Sequence, residues 1–279
     1  MFDQFATVKA GNLTNPGTPV SFYLYDDLAV ATSALAETSD PDAVAITDSQ
    51  VTVTPAEHGN LTKASLKVRT DTFLVGFDPD IANIVAFNMA DSLDDLAKAA
   101  LDGGTNEDYV GQTAEASITA SDTITASEVR QKRAELRGAS VRGVSGDLYV
   151  AVIHPDVAFD LKSETGDGAW IAPHQYVDPM NIYNDEIGTF GGFRFIESAR
   201  CELNADGGAS AVDTYTTYFM GAQALAKAEP IPGHVVIGPV VDALMRVRPV
   251  GWYAYVGWDT YREASLQRLL SASSIGANA

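Results

Sequence analysis

Apolar and polar positions alternate in three distinct ways along this chain. Val51 and Val53 alternate with Thr52 and Thr54. Beyond PAEHGNL (Pro55–Leu61), Ala64, Leu66 and Val68 alternate with Lys63, Ser65, Lys67 and Arg69. Period two with a β-branched bias predicts strand, so residues 44–75 read as a long hairpin. A two-stranded ribbon is marginal alone in water, so this one is expected to lie against a partner. The second pattern has spacings of three and four: Ile81, Ile84, Val85, Met89, Leu93, Leu96, Ala97, Ala100 and Leu101. It predicts a helix that Asp78-Pro79-Asp80 opens and Gly103-Gly104 ends, a rod roughly 30 Å long. Most of its stripe is expected in a core, with an oligomer contact as the alternative. The third pattern is the continuous apolar run of Asp147–Ile153 (DLYVAVI), which predicts a buried strand leading into His154-Pro155-Asp156 and a short helix through Leu161.

Between these landmarks the signals are shorter. Residues 1–43 read as an arm: Asn12–Pro19 is turn-rich, Phe22–Tyr25 is a sticky patch, and Asp40-Pro41-Asp42 closes it. Residues 105–124 alternate weakly in ASITASDTIT and predict a faint strand. Thr125-Ala126-Ser127-Glu128 has the form of a capping box and opens a helix carrying Arg130, Lys132, Arg133 and Arg137. Residues 163–170 and 204–213 read as small-residue loops. Strands are expected over 187–196, 214–220 and 234–237, and an extended stretch from Val250 onward. Residues 221–228 read as a short helix. The order is α+β and not a βαβ series.

Charge narrows the function classes. The 279 residues include 18 Lys and Arg against 37 Asp and Glu, a formal net charge of −19. Duplex DNA binding through the overall field needs clustered cations, and an anionic membrane surface would repel this chain. With Arg142, the helix after Thr125 holds five of the basic residues. A solvated face paired with acidic neighbours is the favoured reading, and a nucleic-acid patch the alternative. The single cysteine, Cys201, makes no intrachain disulfide and no thiolate zinc site. No signal peptide and no membrane-length apolar run stands out, so a soluble protein made in a cytoplasm is expected.

Candidate chemistry is sparse. His58, His154, His174 and His234 lack local zinc spacing. His154 with Asp156 reads as a helix start rather than as a base with its orienting carboxylate. Asp178, Asp185 and Glu186 fit a solvated loop better than an acid–base pair, and Asp78, Asp80 and Asn83 lack the pattern of a calcium loop. No nucleophile elbow, phosphate loop or dinucleotide fingerprint occurs. The aromatic cluster Trp252, Tyr253, Tyr255, Trp258 and Tyr261 suits a core and subunit interface, with a stacking platform as the alternative. No catalytic, cofactor-binding or metal-binding residue is assigned.

The run YVAVIHPDVAFDL (Tyr149–Leu161) resembles a signature of tailed-bacteriophage major capsid proteins. So do, in order, Asp185-Glu186-Ile187-Gly188-Thr189, Gly192, Phe195-Ile196-Glu197-Ser198, FMGAQALAKA (Phe219–Ala228) and Val250-Gly251-Trp252. Upstream, the arm, hairpin and long helix resemble the family's N-terminal arm, extended loop and spine helix. The resemblance implies the α+β capsid fold named after coliphage Hong Kong ninety-seven. It implies an N-terminal arm (1–43), an extended loop (44–75), a peripheral domain (76–122 and 247–279) and an axial domain (123–246). The implied function is a structural shell protein, with no enzymatic activity. It would self-assemble through hexamers and pentamers into an icosahedral head around double-stranded DNA, held without sequence-specific binding. Its implied location is the virion, after assembly in the host bacterial cytoplasm. Portal, scaffold and decoration proteins are the implied partners, with no membrane. The chain shows no long N-terminal scaffolding segment, so a separate scaffold or a lost leader is expected. No Lys/Asn/Glu set matches the covalent cross-link of some members. Interface candidates are Val51, Val53, Lys63, Lys67, Arg69, Arg246, Arg248, Trp252 and Trp258. An encapsulin shell and, from another class, a glycan-binding or hydrolytic α+β protein are the competing readings.

Overall fold

The computed structural model describes residues 1–9, 19–25, 43–65, 77–164, 186–240 and 242–275, with a few single positions between 28 and 37 and residue 67. The first half holds β1 (Ala6–Lys9), β2 (Val20–Tyr25), β3 (Asp48–Val53), β4 (Ala56–Ser65), α1 (Phe77–Asp102), β5 (Glu107–Tyr109) and α2 (Ala126–Gly138). Then follow β6 (Tyr149–Ile153), α3 (Pro155–Ser163), β7 (Glu186–Phe190), β8 (Phe193–Glu197), β9 (Leu203–Asn204), β10 (Thr214–Met220), β11 (Leu225–Ile237), β12 (Val247–Thr260) and β13 (Leu266–Ser271).

Two principal sheets result. One has the order β5-β13-β10-β6-β8-β7, with β9 beside β10. The other has the order β1-β11-β12-β4, and β2-β3 form a separate ribbon. Helix α1, about 39 Å long at 1.5 Å per residue, joins them. Its first turns lay Ile81, Val85, Met89 and Leu93 on Val250, Trp252, Ala254 and Val256 of β12. Its last turns bury Ala97 and Leu101 among Val150, Val152, Ile196, Tyr218 and Met220 of the larger sheet. The expected helix is therefore present, and its three-and-four periodicity is the cause: one stripe is apolar enough to seat on two sheets in turn. Gly104 ends it because a Cβ there would meet Leu266 Cδ2 at 2.6 Å.

Other local expectations are met. Thr125 caps α2 with both arms of the capping box. All five residues of β6 and all seven of β10 are buried. The 187–196 strand is a hairpin, β7 and β8, turning at Gly191 and Gly192, whose φ values of 57° and 87° favour glycine.

Three expectations are corrected. First, the 44–75 hairpin does not pair with itself: β3 pairs antiparallel with β2, while β4 pairs residue for residue with β12. PAEHGNL is not a loop, since Ala56–Leu61 is the first half of β4. Gly59 sits inside that strand because a Cβ there would meet the Trp252 carbonyl oxygen at 2.7 Å. Second, residues 221–228 are not a helix. Gln223 turns with φ 62°, and Leu225–Ala228 enter β11 between β1 and β12. A short apolar run has the same pattern in a buried strand as in a helix. Third, the strand within 105–124 is β5, Glu107–Tyr109, whereas ASITASDTIT (Ala116–Thr125) begins within a 3-10 turn at Glu115–Ser117 and makes a single bridge, Thr123 to Ala272. Strand β11 lies in the sheet with α1's first turns, and β13 returns to the larger sheet.

Candidate assembly surface

The interface candidates separate into those packed within the chain and those facing outward. Val53 is buried with Val20 and Phe22, which hold the β2-β3 ribbon onto Ala226, Ala228 and Tyr261, and Val51 packs beside it. Trp252 is buried under α1, and its indole N–H donates to Asn88 Oδ1 at 2.8 Å. Trp258 donates to Asp3 Oδ1 at 2.8 Å and lies beneath the Lys227 ammonium, 5.5 Å from the ring centroid. Lys227 itself is buried and stays charged. Burial opposes its charge, but Asp3 and Glu229 beside it outweigh that and raise its pKa. The aromatic cluster is thus largely internal cement.

Lys63, Lys67, Arg246 and Arg248 are exposed, and Arg69 lies outside the described residues. The sheet brings Lys63 and Arg248 together: Lys63 opposes Pro249 and Ala64 opposes Arg248, so the end of β4 lies against the start of β12. Arg246 Nε donates to Asp242 Oδ2 at 2.9 Å within its own loop. Arg248 has no ion pair among the described residues. The same end is apolar. Ile237 is 63% exposed, Leu244 70% and Met245 76%. The sequence pattern missed these three because nothing local marks an apolar residue as uncovered.

The basic residues of α2 differ in burial. Lys132 is buried and paired with Asp108 and, at 2.7 Å, Glu135. Arg130 and Arg137 point outward. His154 acts as a helix cap: its Nδ1 accepts the Asp156 N–H at 3.3 Å. Burial lowers its pKa against the pull of Asp156 and Glu197. Beside it the Tyr215 hydroxyl donates to Asp156 Oδ2 at 3.1 Å, and burial with that carboxylate pushes Tyr215 up to about 12. The Cys201 thiol is buried and held protonated by desolvation. His58 lies half-buried on β4 and His234 exposed on β11, too scattered for a shared ligand. Among the described residues no group of three His, Cys, Asp or Glu is placed to hold a metal. His174, Asp178 and Asp185 lie outside the described residues, as do the side chains of Asp78 and Glu186.

A family model described as phage capsid protein matches residues 97–262, which is more than half of the chain. The chain belongs to this phage capsid family. It is a major capsid protein, the structural subunit from which the head is built. The fold agrees over nearly its full length. The capsid of Ralstonia phage GP4 superposes with a TM-score of 0.78 at 16% identity, covering 99% of this chain and 88% of that one. The capsid of cyanophage Pam1 gives 0.73 at 13%, covering 98% and 89%. That of Helicobacter pylori bacteriophage KHP30 gives 0.73 at 13%, covering 96% and 86%. No curated protein sequence matches the chain. The capsid protein therefore has the α+β fold of the Hong Kong ninety-seven type. Within the described residues none of its helices is long and apolar enough to cross a membrane.

Proposed function

We propose that this capsid protein assembles through rings of five and six into an icosahedral head around double-stranded DNA. The sheet with α1's first turns would form the peripheral part, and the larger sheet the axial part. The observation that supports this reading is the exposed apolar surface. Tyr25, Val30, Val44, Ile46, Phe87, Leu244 and Met245 are all open to solvent in one chain. Monomeric proteins rarely leave so much large apolar surface bare, whereas subunits of shells cover it with copies of themselves. The chain serves as wall material, not as a catalyst, and portal and scaffold proteins complete the head.

The charge of −19 fits this use. Like charges of neighbouring subunits repel over about 8 Å at physiological ionic strength, so salt relieves the repulsion while apolar contacts hold. A wall this acidic encloses DNA without gluing it. Electron microscopy of the expressed protein across a salt series tests the reading. Closed particles that form more readily with moderate salt are expected. Strictly monomeric protein at every salt concentration would overturn it, and particles filled with an enzyme rather than DNA in the infected cell would favour the encapsulin reading.

A further inference from the structure

Two surfaces of the chain complement each other. The first is the tip of the β11–β12 hairpin. Ile237, Leu244 and Met245 stand exposed there, beside Lys63, Arg246 and Arg248. Asp242 engages Arg246, leaving the tip cationic in a chain of net charge −19.

The second surface is the flank of α1. Asp80, Ile84, Phe87, Asp91 and Asp95 follow one another at spacings of four, three, four and four, so they form one stripe along the helix. Ile84 is 69% exposed and Phe87 70%. Asp91 engages Arg200, and Asp95 lies 3.7 Å from Lys98, whose main partner is Glu202. Asp80 has no ion pair among the described residues. Beside the stripe, Ile84, Ile81 and Leu61 line a groove of about 310 Å³, large enough for an aliphatic side chain.

The tip continues its own sheet. The β11–β12 ladder continues to Ile237 opposite Val250, and the Gly238 N–H donates to the Pro249 carbonyl at 3.0 Å. A cationic apolar knob and an acidic apolar stripe on the same subunit make a head-to-tail contact, the kind that closes rings or extends lattices.

We infer that the β11–β12 tip of one copy docks on the α1 stripe of a second copy, with Leu244 or Met245 seated beside Ile84 and Phe87. Arg246 and Arg248 then face the stripe's carboxylates. The inference rests on the shell reading and names one contact within it. Exposed aliphatic side chains favour this occupant over DNA, because phosphates reward cations and give nothing to Ile237, Leu244 or Met245.

Cross-linking tests it. Cys201 is buried and silent, so two chains, one Met245→Cys and one Phe87→Cys, are mixed, assembled and mildly oxidised. A disulfide-linked dimer is expected in the mixture and not in either chain alone. Particles without that dimer, or Met245→Cys linking to itself, would overturn the contact. Failure of the wild-type protein to form particles would instead strike at the shell reading. As a second readout, Arg246→Glu with Arg248→Glu should lower assembly at least about tenfold, with partial recovery on adding Asp80→Lys and Asp95→Lys. Normal assembly by the arginine variants with loss of packaged DNA would assign the tip to nucleic acid and reject the proposal.

Discussion

Strands β10 and β11 are neighbours in sequence and opposites in burial. Every residue of β10, Thr214 to Met220, is buried, flanked by β6 and β13. In β11 only Leu225–Ala228 are buried, and the strand then runs outward through exposed Val235, Val236 and Ile237. The first strand completes its packing inside one chain: Tyr218 meets Phe2 edge-on at 5.5 Å, and Phe219 meets Phe193 at 4.8 Å. The second leaves apolar area in water, which costs about 25 cal/mol per Å² until something covers it. The larger sheet is thus built for the stability of the subunit. The far end of the smaller sheet leaves its apolar side chains in water, where the proposed assembly would cover them.

Substitutions can separate these two roles. Phe219→Ala should cost about 3–5 kcal/mol in urea denaturation of the free subunit, since it empties a closed aromatic core. Leu244→Ser should change the same measurement by less than about 0.5 kcal/mol while reducing particle yield. A Leu244→Ser subunit as destabilised as the Phe219 variant would erase the distinction. Between these extremes lies Asn88, whose side-chain oxygen receives both the Trp252 indole N–H at 2.8 Å and the Asn60 amide at 3.2 Å. Asn88→Ala leaves a buried donor unpaired and should cost about 1–3 kcal/mol. Thr125→Ala removes the capping box of α2 and should cost about 1 kcal/mol without affecting particle formation.

The smallest effect is a pH dependence at the joint between the two regions. Asp102, in the last turn of α1, accepts the hydroxyl of Tyr218 on β10. Burial raises its pKa above the ordinary 3.8, with Glu202 adding to the rise and the Tyr218 hydrogen bond opposing it. The folded chain therefore binds this proton more tightly than the unfolded chain. Its contribution to stability falls as pH rises from 3.8 through the raised folded value. Asp102→Asn should remove that slope and leave the subunit at least as stable at neutral pH, as read from denaturation midpoints at several pH values. His154 acts in the opposite sense. Its folded pKa is depressed below 6.5, so its contribution is present above 6.5 and is lost as pH falls through that value toward the folded one.

What the sequence made legible was local. The α1 stripe, the Thr125 box, the apolar run of β6 and the His154-Pro155 helix start each hold their signal within a few residues, and each is found in the structure. Pairing partners were not legible. β4 lies two residues after β3 yet joins β12, because a ten-residue ladder against a long strand satisfies more backbone groups than a short ribbon. Leu225–Ala228 misled for a related reason: burial between two strands imposes the same apolar run that a helix would show. For the assembly surface, the sequence marked Lys63, Arg246 and Arg248. It could not mark Ile84, Phe87, Leu244 or Met245 as exposed, since exposure is a property of where the sheet stops. Trp252 and Val53, singled out as interface candidates, turned out to hold the subunit's own layers together.

Hydrogen exchange of the free subunit beside the assembled particle tests the central claim most directly. Strand β10 should be equally protected in both. The outer half of β11, the start of β12 and the exposed flank of α1 should gain protection only in the particle. Equal protection of the hairpin end before and after assembly would contradict it.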